Sequence, residues 1–412
     1  MNNQIVPNKV LFLFIILDVA LFPVSPIFAF PYSLFANLLI FFHILYRKKL
    51  ESKPISYYIL IVCLLISGWL SVLFKEKTAL LKNDVNTLFI DVQREDIKRL
   101  LFILFGFIIY ESVGYLYRRS RAKLIVSIKW VLYLIIAVFS LLGIIFLNDY
   151  LSYYQIKNLF FNSNINLTTN EVLINTGYFE RYNFILLDPN NACYFILMVI
   201  MFLLEIYSLR KITRVLLWLS AIFALVLTKS VGGGYALIIY IVVKNFRVWR
   251  NKVNTKYVIS VVFILAFIGV IFWINLLIDN KIIDFFKNTE TVQRWSDNSM
   301  NSRYERYGQI LKSFPPLWGS GYTLIRDGFY INPHSDHLRF LYSYGLVAYI
   351  SLLFISVKKR YLQMRYSFLI PVVIAFTINS LIDESRFFYL ALILLAISKV
   401  EINQNTMRLN DE

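Results

Sequence analysis

Apolar runs of about 17–25 residues recur along almost the whole of this 412-residue chain, and they exclude most folds at once. Segments of that length and composition cross a bilayer. Backbone groups in lipid must pair among themselves, so each crossing is a helix or a strand of a closed barrel. Barrel strands alternate polar and apolar residues, and these runs do not. The spacing therefore predicts an all-α integral membrane protein, a single polytopic domain over 1–412 with about twelve transmembrane helices. They fall near 10–30, 33–46, 55–74, 99–117, 124–147, 184–207, 212–228, 234–246, 257–278, 337–357, 366–382 and 386–398.

The net charge of +17 belongs to orientation and implies no nucleic acid partner. Arg47-Lys48-Lys49, Arg118-Arg119-Ser120-Arg121, Arg210-Lys211, Lys244 to Lys256 and Lys358-Lys359-Arg360 follow every second span. The positive-inside rule makes those connections cytoplasmic, and both termini with them. External loops are then 75–98, 148–183, 229–233, 279–336 and 383–385. The stretch 75–98 mixes leucines and charges, as an interfacial helix or a plain solvated connection would. No small-residue cleavage site follows the first span, so it reads as retained. Cys63 and Cys193 lie in apolar runs and offer neither a disulfide framework nor a metal site.

Two external loops, 148–183 and 279–336, are too long for simple turns, and their aromatics and arginines argue against disorder. In the second, Ser302-Arg303-Tyr304-Glu305 reads as a capping box opening a helix that stops before Pro315-Pro316. Arg303 and Arg306 then share a face, and two planar forks on one turn suit a diphosphate. Lipid headgroups or Glu305 would also satisfy them. The glycines of Trp318-Gly319-Ser320-Gly321-Tyr322 permit a tight return of the chain. His334-Ser335-Asp336-His337 enters the tenth span. His334 at the membrane mouth is a candidate base, with Asp336 orienting it or acting as base itself, and His337 lies nearby.

Upstream, Arg181 sits just outside the sixth span, while Asp188-Pro189-Asn190-Asn191 sits just inside it. Polar residues at that depth usually face a cavity. Pro189 would free a carbonyl within that helix. Lys229-Ser230-Val231-Gly232-Gly233-Gly234 lacks the spacing of a phosphate-binding loop, and its glycines suit close helix packing.

Taken in order, Arg181, Asp188-Pro189-Asn190, Ser230 with Gly232-Gly233, Arg303, Pro315 with Gly319-Ser320-Gly321, His334-Ser335 with Leu338, and Gly345 resemble the O-antigen polymerase and ligase superfamily. The likeness covers about 181–350. The family's usual His-Asn is His334-Ser335 here, and an Arg of its Ser-Arg-Gly-Gly turn is missing at Val231. The resemblance implies a GT-C-like, metal-independent glycosyltransferase of the bacterial inner membrane, with no cofactor. It would polymerise undecaprenyl-diphosphate-linked oligosaccharide repeat units into O-antigen or capsule at the external face. Arg181, Arg303 and Arg306 would then bind the diphosphate and His334 would serve the acceptor. Asp188, Asn190, Ser230, His337 and Tyr304 would line the cavity. A chain-length regulator and a flippase are the further partners implied. A ligase transferring finished polymer to lipid A core is the alternative within the superfamily. A transporter of lipid-linked sugars is the alternative outside it, although that would concentrate charge at mid-membrane, where only Asp18 and His43 were read.

Overall fold

The computed structural model describes residues 5–22, 30–47, 53–82, 87–161, 181–250, 310–357 and 364–410, apart from 187, 312, 313, 327, 332 and 334. The span expected at 257–278 and the sites expected at Arg303, Tyr304, Arg306 and His334 lie outside the described residues.

The elements run α1 (Ile5–Ala20), α2 (Leu34–Tyr46), α3 (Ile55–Phe74), β1 (Thr78–Lys82), β2 (Thr87–Asp91), α4 (Val92–Asn148), α5 (Tyr150–Phe161), α6 (Pro189–Ile206), α7 (Lys211–Thr228) and α8 (Val231–Arg250). Then come β3 (Leu324–Arg326), β4 (Phe329–Ile331), α9 (Asp336–Arg339), a π-helix (Phe340–Tyr344), α10 (Leu346–Val357), a 3-10 turn (Met364–Leu369), α11 (Ile370–Ile378) and α12 (Ser385–Asn410). Among the described residues, α3, α4, α6 and α7 are long and apolar enough to cross a membrane. The chain divides into two units, 238–314 and the remainder. Within the smaller unit, Lys244 Nζ donates to Tyr240 Oη at 3.1 Å. All that follows concerns the larger.

A straight helix as long as α4, 57 residues, would measure about 85 Å, nearly three bilayer cores. It is broken at Ser120, whose φ of −133° is not helical, inside the basic run that the sequence reading placed between two spans. The first half of α4 lies parallel to α12. Gly106 faces Phe388 and Leu392, and Phe102 stacks near Phe388 and Tyr389. At one end Arg99 donates to the carbonyls of Ile382 and Asp383. At the other, Arg121 grips Glu401 bidentately at 2.6 and 2.7 Å, and Tyr117 donates to the same carboxylate. Charges thus sit at both ends of a pairing about 27 Å long, close to the hydrocarbon thickness of roughly 30 Å, and between them the buried Glu111 of α4 is held by Lys53.

In one place the structure departs from an all-helical reading. Where the sequence admits an interfacial helix or a plain solvated connection, β1 and β2 form an antiparallel hairpin registered Thr78↔Asp91 to Lys82↔Thr87. β3 and β4 form a second hairpin, and Leu80 pairs with Phe329 in parallel to give the order β2-β1-β4-β3. Each hairpin alone would be marginal, and the joined sheet spares two edges. The partner strands are more than 200 residues apart, so no local pattern announces the pairing. Asp91 then caps α4, accepting from Arg94 N at 3.0 Å. Asp96, one turn on, collects Ser71 Oγ, Lys75 Nζ at 2.8 Å and Thr323 N at 2.6 Å, which ties the hairpins to the end of α3.

The tenth span expected over 337–357 is broken as well. Gly345, at φ 91°, separates the π-helix from α10, and the chain at Gly319 crosses it backbone to backbone. A methyl at Gly319 would strike Ser343 O and the backbone of Tyr344, which cannot swing aside as a side chain can. Gly319→Ala is expected to cost about 3 kcal/mol, the upper end for overpacking. Membrane yield and melting temperature in detergent measure it, and a wild-type melt would refute the crossing.

Candidate active site

The first cluster forms where α6 begins. Pro189 occupies the first turn, where its missing N–H costs nothing. Asp188 is therefore the N-cap, accepting from Asn190 N at 2.6 Å and Asn191 N at 3.3 Å. This corrects the reading of Pro189 as a break inside a span, because the helix begins there. Asn190 Oδ1 receives Arg181 Nη2 and Ser230 Oγ, both at 2.9 Å. Arg181 Nε donates to Thr228 O at 2.9 Å, and its Nη2 reaches Lys229 O at 3.4 Å. Lys229 turns that carbonyl inward by adopting a left-handed conformation, φ 46°. Gly232 and Gly233 bring α8 against Tyr194 and Cys193 of α6.

Arg181 enters from the turn 183–186, where Phe184 holds φ at 54°. Two side chains one turn apart on α5 clamp it. Tyr153 donates to the Asn183 amide oxygen and the Phe184 carbonyl, and Lys157 Nζ donates to Asn183 Oδ1 at 2.8 Å and Leu186 O at 2.9 Å. Lys157 is fully enclosed. Burial pushes it down to about 7, Glu384 drawing it back towards the charged form and Arg386 adding to the shift. In the unfolded chain it would hold its proton to about 10.4. Between those values the unfolded chain binds the extra proton, so this group makes the fold more stable as pH rises from about 7 towards 10. Lys157→Met should abolish the gain. Melting temperature followed against pH is expected to rise for wild type relative to the variant over that interval. A constant difference would mean the amine titrates normally.

The second cluster forms around Arg339, which is completely buried. Its Nη1 contacts Tyr322 Oη, Ser380 Oγ at 2.8 Å and Asp383 Oδ1 at 2.9 Å, and its guanidinium lies 4.3 Å from the Tyr322 ring centroid. Tyr322 Oη also meets Asp383 Oδ1, and Arg99 stands 3.5 Å from the same oxygen. Burial opposes charge on Asp383, yet Arg339 and Arg99 hold its carboxyl below the usual carboxylate range. Asp336 is buried beside them. Its Oδ1 accepts from Ser380 Oγ at 3.1 Å, and its Oδ2 from the N–H groups of Leu381 and Ile382 at 2.6 and 3.1 Å. Burial raises this carboxyl to about 7, against the pull of Arg339. With both oxygens occupied, Asp336 anchors the chain at 380–382.

The turn 379–384 joins the two clusters. Asn379 Nδ2 reaches Asn191 Oδ1 at 3.3 Å and Asp188 Oδ1 at 3.5 Å. Asn191 Nδ2 donates to Ser380 O at 3.4 Å, and Asp188 N to Glu384 Oε1 at 3.3 Å. Of the sequence-derived residues, Arg181, Asn190 and Ser230 meet directly, Asp188 caps the helix beneath them, and Asp336 belongs to the adjoining cluster. His337 stands apart from both, its Nδ1 3.1 Å from Tyr349 Oη and its ring edge-on to Phe376 at 4.7 Å. Sequence reasoning missed Arg99, Arg339, Asn379, Ser380, Asp383 and Glu384. The signal for Arg339 was present: an arginine inside an apolar run, three residues after Asp336. No group of His, Cys, Asp and Glu among the described residues could hold a metal ion.

Apolar helices with charges gathered at their ends, a broken helix and a buried arginine network define a helical membrane protein. Residues 215–353, which include Ser230, Asp336 and Arg339, match the family model described as O-antigen ligase. Over that segment the chain is thus similar to the O-antigen ligase family, within a protein whose long apolar helices mark it as one of the membrane. Neither the curated proteins nor the solved structures include a match. Arg181, Arg99 and Asp383 come from outside the matched segment.

Proposed function

We propose that this protein polymerises polyprenyl-diphosphate-linked oligosaccharide units into a surface polysaccharide at the external face of the inner membrane. The observation that carries the reading is the meeting of Arg181, Asn190 and Ser230 in one cluster, tied by the turn 379–384 to the ion pair of the buried Arg339 with Asp383. The lipid diphosphate leaves as the glycosidic bond forms. Arg181 neutralises the charge developing on it, a preorganised electrostatic role. His334 takes the proton of the attacking sugar hydroxyl, general base catalysis worth roughly 10²–10⁴-fold. The ammonium of a lysine would not replace the fork of Arg181 on a diphosphate.

The lipid-linked glycan of a deletion strain tests this reading. A single repeat unit on the carrier, or capping the acceptor, is expected. Full-length polymer left on the carrier would favour a ligase, the second reading, which the matched family's description supports. Repeat units confined to the cytoplasmic leaflet would refute both and point to a transporter.

A further inference from the structure

Residues 315–323 belong to a stretch that charge rules assign to an external loop, yet their contacts run down the side of α3. Thr323 sits at the end of that helix, its carbonyl accepting from Lys75 Nζ at 2.5 Å. Gly321 N donates to Ser67 Oγ at 2.7 Å and to Ser343 O at 3.1 Å. Ser67 lies about 10 Å inside the last residue of α3, Phe74. The chain goes deeper still. Pro316 O accepts from Leu346 N at 2.9 Å and Leu317 O from Val347 N at 3.4 Å, while neighbouring Ala348 packs in one cluster with Leu60, Cys63 and Leu64. At that level Leu317 is 59% exposed and Trp318 46%. On the spanning helix beside them, Leu65, Trp69 and Val72 are exposed as well. Pro315 and Pro316 bring no N–H donors into this region, and the Pro316 and Leu317 carbonyls are taken by α10. Backbone at membrane depth needs partners within the protein, and these two carbonyls have theirs.

We infer that residues 315–320 form a re-entrant strap that continues the lipid-facing surface of α3, with Leu317 and Trp318 in contact with the hydrocarbon of the surrounding leaflet. The partner of this surface is bilayer lipid.

Nitroxide labels at L317C and W318C in the full-length protein in vesicles test the inference, with W69C as the lipid-facing reference and K77C as the aqueous one. Cys63 and Cys193 are buried and stay in place. Labels at 317 and 318 are expected to collide with oxygen as W69C does and to be shielded from a water-soluble nickel complex. Nickel access equal to that of K77C would overturn the inference in favour of a wet loop or cavity. Shielding from both reagents would overturn it in favour of a protein-covered site. A second measurement uses the native side chain: lipids brominated along the acyl chain should quench wild-type fluorescence more than that of Trp318→Phe. Equal quenching would also overturn the strap. Neither readout depends on catalysis, so the inference stands or falls apart from the polymerase reading.

Discussion

Arg339→Met is expected to lower stability by about 3–5 kcal/mol, the cost of stranding a buried charge. The variant leaves Asp336 and Asp383 facing each other with Arg99 as the nearest cation, and it removes the donor that Ser380 and Tyr322 share. Methionine fills similar volume, so the loss is electrostatic. A consequence separates this from general damage. Asp383→Asn in the same background removes the stranded charge and should recover part of the loss, giving a non-additive pair. Arg339→Lys keeps the charge without the planar fork and should fall between. Melting of the purified variants in detergent reads all of these. If Arg339→Met melts with the wild type, the network does not hold the turn 379–384.

Arg181→Lys is expected to reduce chain extension by about 10²–10³-fold, the usual loss for one preorganised donor at a developing anion. The guanidinium is aimed by Thr228 O, Asn190 Oδ1 and Lys229 O, an arrangement that an ammonium cannot reproduce. The fold should survive, because Tyr153 and Lys157 hold the adjoining turn without Arg181. Polymer length in cells and unit transfer by the purified protein measure the outcome. Wild-type polymer made by a variant present at normal level in the membrane would remove Arg181 from the reaction.

Much of the helical frame was legible because lipid imposes one length and one composition on every crossing. The ends of α2, α3 and α7 fall within a few residues of the runs that predicted them, whereas α6 starts only at Pro189. The sheet was illegible because Leu80 and Phe329 meet only after the intervening helices are in place. Arg181, Asn190 and Ser230 could be singled out because polar residues beside apolar runs are costly and need a reason. Arg339 carries the same cost but was hidden inside a run read as an unbroken helix, between Leu338 and Phe340. Asp383 and Glu384 were passed over as a minimal turn, since nothing local shows that such a turn touches two clusters at once.

The parallel seam between α4 and α12 has a consequence for the lipid around the protein. With Arg99–Asp383 pinned at one rim and Arg121–Glu401 at the other, the seam works as a ruler that the protein cannot readily shorten or stretch. Acyl chains much longer than the ruler would drown one pair in hydrocarbon, and much shorter chains would strand apolar residues in water. The molecule therefore carries its own preferred membrane thickness, and a series of vesicles graded in chain length should find an optimum in the middle.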